Sequence, residues 1–400
     1  MHFQPCLFVH VLLLSAMMTI FLRLKARNGG FYVTIQKKTG GELMKKHKKA
    51  GKVIGIILLC ILIIAGILAA IYRKAVYMVF RNLTAAKLPI DEKDTSWSGG
   101  ESYLKIPYAS DSEAQYLDLY VPSDVENPEL YVIVHGGGFM FGDSQTRQSQ
   151  LMYRYFRDHG YACATVNYRL AQEAPFPGAL EDVKAAVRFL KSHAEEYGYS
   201  TDHVSIFGES AGGYLATMAA LTNDEEFMGT EYIGQKEDEE KGRSVSAMVD
   251  VLVDYYGVVE MEALSAASPD WKEIGVPPLV FSIANYWMNP KDMEGFGDCN
   301  SYWMRREASE LSEDERQKAG AAFYIDENLS ETEGPAVLII HGDCDITVPI
   351  LQSQRFYEKA SAAAGEEKAE YWVIPDQGHA TDMLYEDAVL ERVDQFIKSH

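Results

Sequence analysis

Tyr131-Val-Ile-Val-His135-Gly136-Gly137-Gly138-Phe139 is an apolar run that ends in a glycine loop, and Gly208-Glu209-Ser210-Ala211-Gly212 repeats the arrangement downstream with a serine at its centre. Gly-x-Ser-x-Gly alone is weak, because at ordinary Gly and Ser usage chance yields it in about one chain of this length in ten. Here it follows an apolar stretch, His203-Val-Ser-Ile-Phe207, and precedes a helical run, Ala211 to Leu221. A sharp strand-to-helix turn in that context exposes the serine Oγ as a nucleophile. In His135-Gly-Gly-Gly138 the missing side chains let main-chain N–H groups turn toward a substrate carbonyl. The N–H groups of Gly137, Gly138 and Ala211 are therefore the candidate oxyanion hole, in which one donor contributes about 3 kcal/mol once negative charge develops.

A serine needs a base, and the base needs an orienting acid. Two later loops leave apolar runs and offer both: Ile340-His341-Gly-Asp343-Cys344-Asp345-Ile-Thr-Val-Pro349 and Ile374-Pro-Asp376-Gln-Gly378-His379. His379 is the candidate base for Ser210. Asp343 and Asp345 both compete for the acid, while His341 and His135 read as braces of their turns. Tyr168 and Arg169 read as pins beside the glycine loop, and His159, His193 and His203 as solvated or capping residues. Cys344 is a poor second nucleophile, since neighbouring carboxylates raise a thiol pKa.

Short apolar runs at Tyr131 to Val134, Ala162 to Val166, Val204 to Phe207, Met248 to Tyr255, Ala336 to Ile340 and Tyr371 to Ile374 alternate with helix-length segments. This predicts an α/β fold with a mostly parallel, buried sheet. Tyr103 to Pro107 and Tyr116 to Val121 predict an antiparallel pair at its edge. Residues 261–333, rich in large apolar and aromatic side chains, are too long for an ordinary connection and read as an inserted cap. Asn223 to Ser244 reads as a solvated charged loop.

The chain has 400 residues, 47% apolar, with a formal charge of −21. Residues 1–52 hold ten basic side chains and a single acid, Glu42, so the remainder carries 27 basic and 57 acidic groups, a balance of −30. Such a surface repels nucleic acid. Val53 to Tyr72 contains no charge and as a helix spans a bilayer of about 30 Å. Lys45, Lys46, Lys48, Lys49 and Lys52 crowd its leading side, which predicts a single-pass anchor with the large domain outside the cytoplasm. Cleavage as a secretory signal is the alternative, but the run is long for one and ends in no Ala-x-Ala site. The residues ahead of Cys60, Leu58 and Leu59, are too bulky for lipidation there. Leu7 to Leu22 is a shorter apolar run, and if it also spans, the large domain stays on the outer side. Residues 1–43 are alternatively an upstream extension of a true start at Met44, since Thr39-Gly40-Gly41-Glu42 can be encoded by a purine-rich ribosome-binding sequence. The segment map is thus a basic N-terminal stretch 1–52, an anchor 53–72, a linker 73–100 and a catalytic domain 101–400. Five cysteines, Cys6, Cys60, Cys163, Cys299 and Cys344, form neither a disulfide framework nor a metal pattern, and no phosphate loop is present.

From about Glu101 onward the chain resembles the α/β-hydrolase superfamily, specifically hormone-sensitive-lipase-like esterases and carboxylesterases of the acetyl- and feruloyl-esterase type. The marks are HGGGFMFG (135–142), VNYRLAQEAPFPGALEDV (166–183), GESAGG (208–213), HGDCDITVP (341–349) and QGHA (377–380). The resemblance implies Asp345 as the acid, the residue just before xxVP. Glu209, where lipase-like members usually carry Asp, and the HGxxDxxVP form of the acid motif depart from the lipase-like pattern. The expected activity is hydrolysis of short to medium acyl or acetyl esters by Ser210, His379 and Asp345, without a cofactor. Acetylated carbohydrate is one candidate substrate. The competing readings are an amidase or peptidase using the same residues and an inactive hydrolase-like binding module; oligomeric state is left open.

Overall fold

The computed structural model describes residues 55, 57–68, 70–89, 97–260, 268–277 and 312–400. Much of the expected cap and most of the N-terminal stretch lie outside them. Among the described residues no single helix is long and apolar enough to cross a membrane, although Ile57–Leu68 and Arg73–Leu83 meet that test as a bent pair. Several positions of the expected span 53–72 fall outside the described residues.

Residues 69–400 form one compact unit around an eight-stranded sheet in the order β1-β2-β4-β3-β5-β6-β7-β8. Its strands are β1 (Gly100–Pro107), β2 (Tyr116–Pro122), β3 (Glu129–Val134), β4 (Ala162–Val166), β5 (Ser200–Glu209), β6 (Val251–Tyr255), β7 (Ala336–Gly342) and β8 (Ala369–Ile374). β1 and β2 pair antiparallel, β2 meets β4 antiparallel, and all pairs from β4 through β8 are parallel. This is the α/β-hydrolase fold. Each predicted strand is present, extended by a few residues at one or both ends in all but Ala162–Val166, which matches, and the Met248 run, which starts at Val251.

The inner strands β3 to β7 read as largely apolar runs because both faces are covered, with alternate residues entering different cores. Tyr131 and Ile133 of β3 pack with Met152 and Phe156 of α2 (Arg147–Asp158), and with Leu390, Val393 and Ile397 of α6 (Asp387–Ser399). Leu130, Val132 and Val134 join the opposite core, with Leu180, Val183 and Val187 of α3 (Gly178–Ser192), Tyr214, Leu215 and Met218 of α4 (Ala211–Leu221) and Phe356 of α5 (Ile350–Ala364). Fully burying each such side chain contributes about 1.5–3 kcal/mol.

Two expectations change. The first part of the 73–100 linker is helix α1 (Arg73–Leu83), whose Ala75 and Met78 are buried with Trp271, Ile274, Val276 and Cys344. Its amphipathic spacing was hidden beside the longer apolar run before it. The Asn223 to Ser244 stretch is not simply solvated: it contains a short helix, Gln235–Glu240, and buries Thr230, Tyr232 and Asp238. Asp238 accepts from Tyr232 and binds Arg243, and Lys184 of α3 donates to the carbonyls of Asn223 and Glu226. Paired ions are compatible with burial that isolated ones are not.

α4 approaches the end of β3 so closely that a Cβ on Gly212 would lie 2.2 Å from Val134 O and 2.4 Å from His135 O. Gly212→Ala must push backbone against backbone, and is expected to cost about 3 kcal/mol, the upper end of overpacking. A melting curve settles this, since an unchanged midpoint would mean that α4 shifts freely.

Candidate active site

All the chemistry-bearing loops leave C-terminal ends of parallel strands and so share one edge of the sheet, where open α/β sheets bind ligands. Register brings them together: Val134 lies beside Gly208, Glu209 beside Tyr255, Tyr255 beside Ile340, and Gly342 beside Ile374.

Ser210 occupies the turn between β5 and α4 at φ 55°, ψ −119°, a conformation that costs an L-residue of order 1–3 kcal/mol. It is held there by Ser210 N–H donating to Tyr255 O at 2.9 Å. Ser210 Oγ lies 2.9 Å from His379 Nε2, and His379 Nδ1 lies 2.7 Å from Asp345 Oδ2. Asp345 has its other oxygen fixed, because Oδ1 accepts the N–H groups of Thr347 at 2.7 Å and Val348 at 2.9 Å. His341 Nε2 also reaches Asp345 Oδ2 at 3.2 Å, and its Nδ1 meets Ser353 Oγ at 2.7 Å. Of the two acids left open by the residues alone, Asp343 is turned away: its carboxylate accepts the Asp376 N–H at 2.6 Å.

Burial alone would raise the Asp345 carboxyl, but the charge of His379 and hydrogen bonds from His341 and His379 outweigh it and hold it well below the usual carboxylate range. Burial alone would lower His379, and the Asp345 charge and hydrogen bond reverse this, so its pKa lies above the ordinary imidazole value. The pair thus favours a carboxylate facing an imidazole that readily takes a proton.

Gly136, Gly137, Gly138, Ser210, Ala211 and His379 line one cavity of about 230 Å³, with Phe139, Met140, Phe141, Val258 and Val348 among its apolar walls. Gly137 has φ 118°, and a Cβ there would lie 1.9 Å from Phe141 O, so no other residue fits. Ala211 is the first residue of α4, where backbone N–H groups have no partner within the helix. Gly137, Gly138 and Ala211 thus share the cavity wall with Ser210.

Two further residues shape the site. Glu209 Oε1 accepts the Gly136 N–H at 2.7 Å, tying the elbow to the glycine loop. Burial raises its pKa, partly offset by the charge of His379 and the Gly136 hydrogen bond. Tyr256 sets its ring edge-on to His379 at 4.7 Å between centroids and bonds its hydroxyl to that of Tyr385. Its place just after β6 was the only sequence signal for it.

The bracing histidines behave as read. His135 is buried, stacks on Tyr168 at 4.3 Å and meets Gly136 O at 2.7 Å; burial lowers its pKa to about 4, so it stays neutral. Tyr168 OH donates to His135 O, and Arg169 grips Asp182 with two nitrogens. His159 and His193 each bond a carbonyl one turn back, while His203 pairs with Glu129. Asp343, Cys344 and Asp376 lie close enough to share a cation. Their closeness has another cause, because Asp343 accepts from Asp376 N–H and Asp376 from Tyr77 OH. Burial and Asp343 push the Cys344 thiol up to about 12, leaving it unreactive.

Known proteins resemble this chain in sequence and in fold. The BD-FAE family profile matches residues 117–360. The probable carboxylic ester hydrolase LipM of Mycobacterium tuberculosis is 26% identical over 284 residues, 70% of this chain and 56% of LipM. An acetyl esterase of Salmonella typhi is 34% identical over 105 residues, 26% of this chain and 31% of that protein. Among solved structures, a truncated carbohydrate esterase from gut microbiota superposes with a TM-score of 0.56 at 22% identity, covering 78% of this chain and 99% of its own. The chain spans just over half the length of LipM.

Proposed function

Because the chain belongs to the BD-FAE family, we propose that it is a serine hydrolase of carboxylic esters, acting on acetyl and other short acyl groups. The observation that carries this reading is the hydrogen-bonded series Ser210 Oγ, His379 Nε2, His379 Nδ1, Asp345 Oδ2, at 2.9 and 2.7 Å, on the wall of the glycine-lined cavity. The similarity to LipM, a probable carboxylic ester hydrolase, and to the Salmonella acetyl esterase supports the same reaction class.

In this reaction Ser210 Oγ attacks the ester carbonyl while its proton passes to His379 Nε2. The carbonyl oxygen becomes an oxyanion facing the N–H groups of Gly137, Gly138 and Ala211. Collapse breaks the bond to the alcohol oxygen, which leaves with the proton from His379, and Ser210 carries the acyl group. Water then attacks that acyl carbon, giving its proton to His379, and the carboxylic acid departs as Ser210 recovers its hydrogen. Asp345 stays ionised throughout and stabilises the transient imidazolium.

The small apolar cavity supports a short acyl group. The lysine-flanked apolar run at 53–72 supports a membrane anchor and an extracytoplasmic catalytic domain, where acetylated carbohydrate is an accessible substrate.

The test is hydrolysis of chromogenic esters from acetate to octanoate, a matching acetanilide and an acetylated oligosaccharide, followed across pH. Acetate or butyrate should be fastest and the anilide far slower; comparable rates on anilide and ester would favour an amidase. Only neutral imidazole accepts the Ser210 proton, so kcat/KM should be low at acid pH and rise through the His379 pKa. That pKa lies above its ordinary value, so the rise should centre on the alkaline side of about 6.5. A flat profile between pH 5 and 9 would remove His379 from the role of base.

A further inference from the structure

Helix α1 contacts both loops that carry Asp345 and His379. The Asn82 amide uses both its hydrogens, one to Met78 O in its own helix at 2.7 Å and one to Cys344 O at 2.7 Å. Cys344 is the residue before Asp345. On its other side the amide abuts Gly378, the residue before His379, so closely that a Cβ built there would lie 2.0 Å from Asn82 Oδ1. Arg81 Nε donates to Asp376 O at 2.9 Å, and Tyr77 OH bonds the Asp376 carboxylate. The two loops also bond each other, Cys344 N–H to Gln377 O at 2.8 Å. With both amide hydrogens committed, Asn82 cannot turn aside without breaking a hydrogen bond.

We propose that Asn82 is a positioning residue: wedged between the Cys344 carbonyl and Gly378, it sets the spacing between the acid loop and the histidine loop and thereby the Asp345 to His379 hydrogen bond. This rests on the Ser210, His379 and Asp345 reading above. The segment after the apolar run is then part of the catalytic scaffold. A misplacement of about 1 Å in such a constellation can lower the rate of order 100-fold, and removal of one of several ties should cost less.

Gly378 supplies an independent lever. Its φ is not positive, so an alanine there meets no left-handed backbone strain, and the three atoms nearest its Cβ all belong to the Asn82 amide. Gly378→Ala should therefore impair the enzyme through Asn82, and Asn82→Ala should relieve it.

The experiment takes the full chain in detergent micelles as wild type, Asn82→Ala, Gly378→Ala and the double variant, with competent sites counted by a fluorophosphonate label on Ser210. Asn82→Ala should lower kcat per labelled site about tenfold with KM within about twofold. It should also move the acid limb of kcat/KM to lower pH, as the imidazolium loses its carboxylate. The groups facing His379 are Asp345, with His341 behind it, Glu209 beside it, and Tyr256, hydroxyl-bonded to Tyr385. Of these only the Asp345 loop is held by Asn82. Gly378→Ala should be impaired in the wild-type background and nearly silent beside Asn82→Ala. A purely structural role would change only the number of labelled sites. Unchanged kcat per site with an unshifted limb, or Gly378→Ala equally harmful in both backgrounds, would overturn the proposal. Failure of Ser210 to label in wild type would overturn the reading beneath it, a separate and visible result.

Discussion

Ser210→Ala should lower kcat for a chromogenic acetate ester by about 10⁶-fold, to the level that the glycine loop and binding alone sustain. The reason is specific to the geometry. In the proposed reaction the Ser210 Oγ, 2.9 Å from His379 Nε2, takes the acyl group, so without it His379 would be left only to activate water. The same variant should fold normally, because the strain at φ 55° is a backbone property that alanine shares. Kinetics at high enzyme concentration, with a melting curve as control, check both halves. Loss of less than about tenfold would show that another group performs the attack.

Asp345→Asn is expected to cost about 10⁴-fold at neutral pH while leaving the loop in place. Asp345 Oδ1 is already fixed by the Thr347 and Val348 N–H groups at 2.7 and 2.9 Å. The asparagine oxygen inherits those bonds, so its NH₂ must face His379 Nδ1. Two donors cannot share a bond, and the ring responds by placing its own proton on Nε2, where it faces Ser210 as a donor and cannot accept. The acid limb of the pH profile should shift down as well, since the stabilising carboxylate is gone. Asp343→Asn is the matched control. That carboxylate accepts from Asp376 N–H and does not meet His379, so its effect should stay within about tenfold. A larger loss at 343 than at 345 would exchange their roles.

How much of this was visible beforehand follows from the range of each interaction. The β3 to β7 runs were legible because burial on both faces favours Val, Ile, Ala and Leu, while β8, half-buried at the sheet edge, still carries the apolar run Tyr371 to Ile374. Helix α2 was not, because its apolar stripe of Met152, Tyr153 and Phe156 is short and lies in an otherwise polar segment with Arg147, Arg154, Arg157 and Asp158. The nucleophile elbow and the glycine loop are local motifs and could be read directly. Choosing Asp345 over Asp343 needed the family pattern, because the two differ only in which way a loop turns. Glu209 was conspicuous as a residue, but its partner, Gly136 N–H, lies 73 positions away. The Asn82 to Cys344 contact spans 262 positions, and no local periodicity encodes that kind of pairing.

Helix α1 also bears on how a soluble fragment of this protein is cut. A clone beginning at residue 100, where β1 starts, would strip Ala75 and Met78 from Trp271, Ile274 and Val276 and leave an oily patch open to aggregation. Cloning from just ahead of Arg73 keeps that patch covered while discarding most of the apolar run before it.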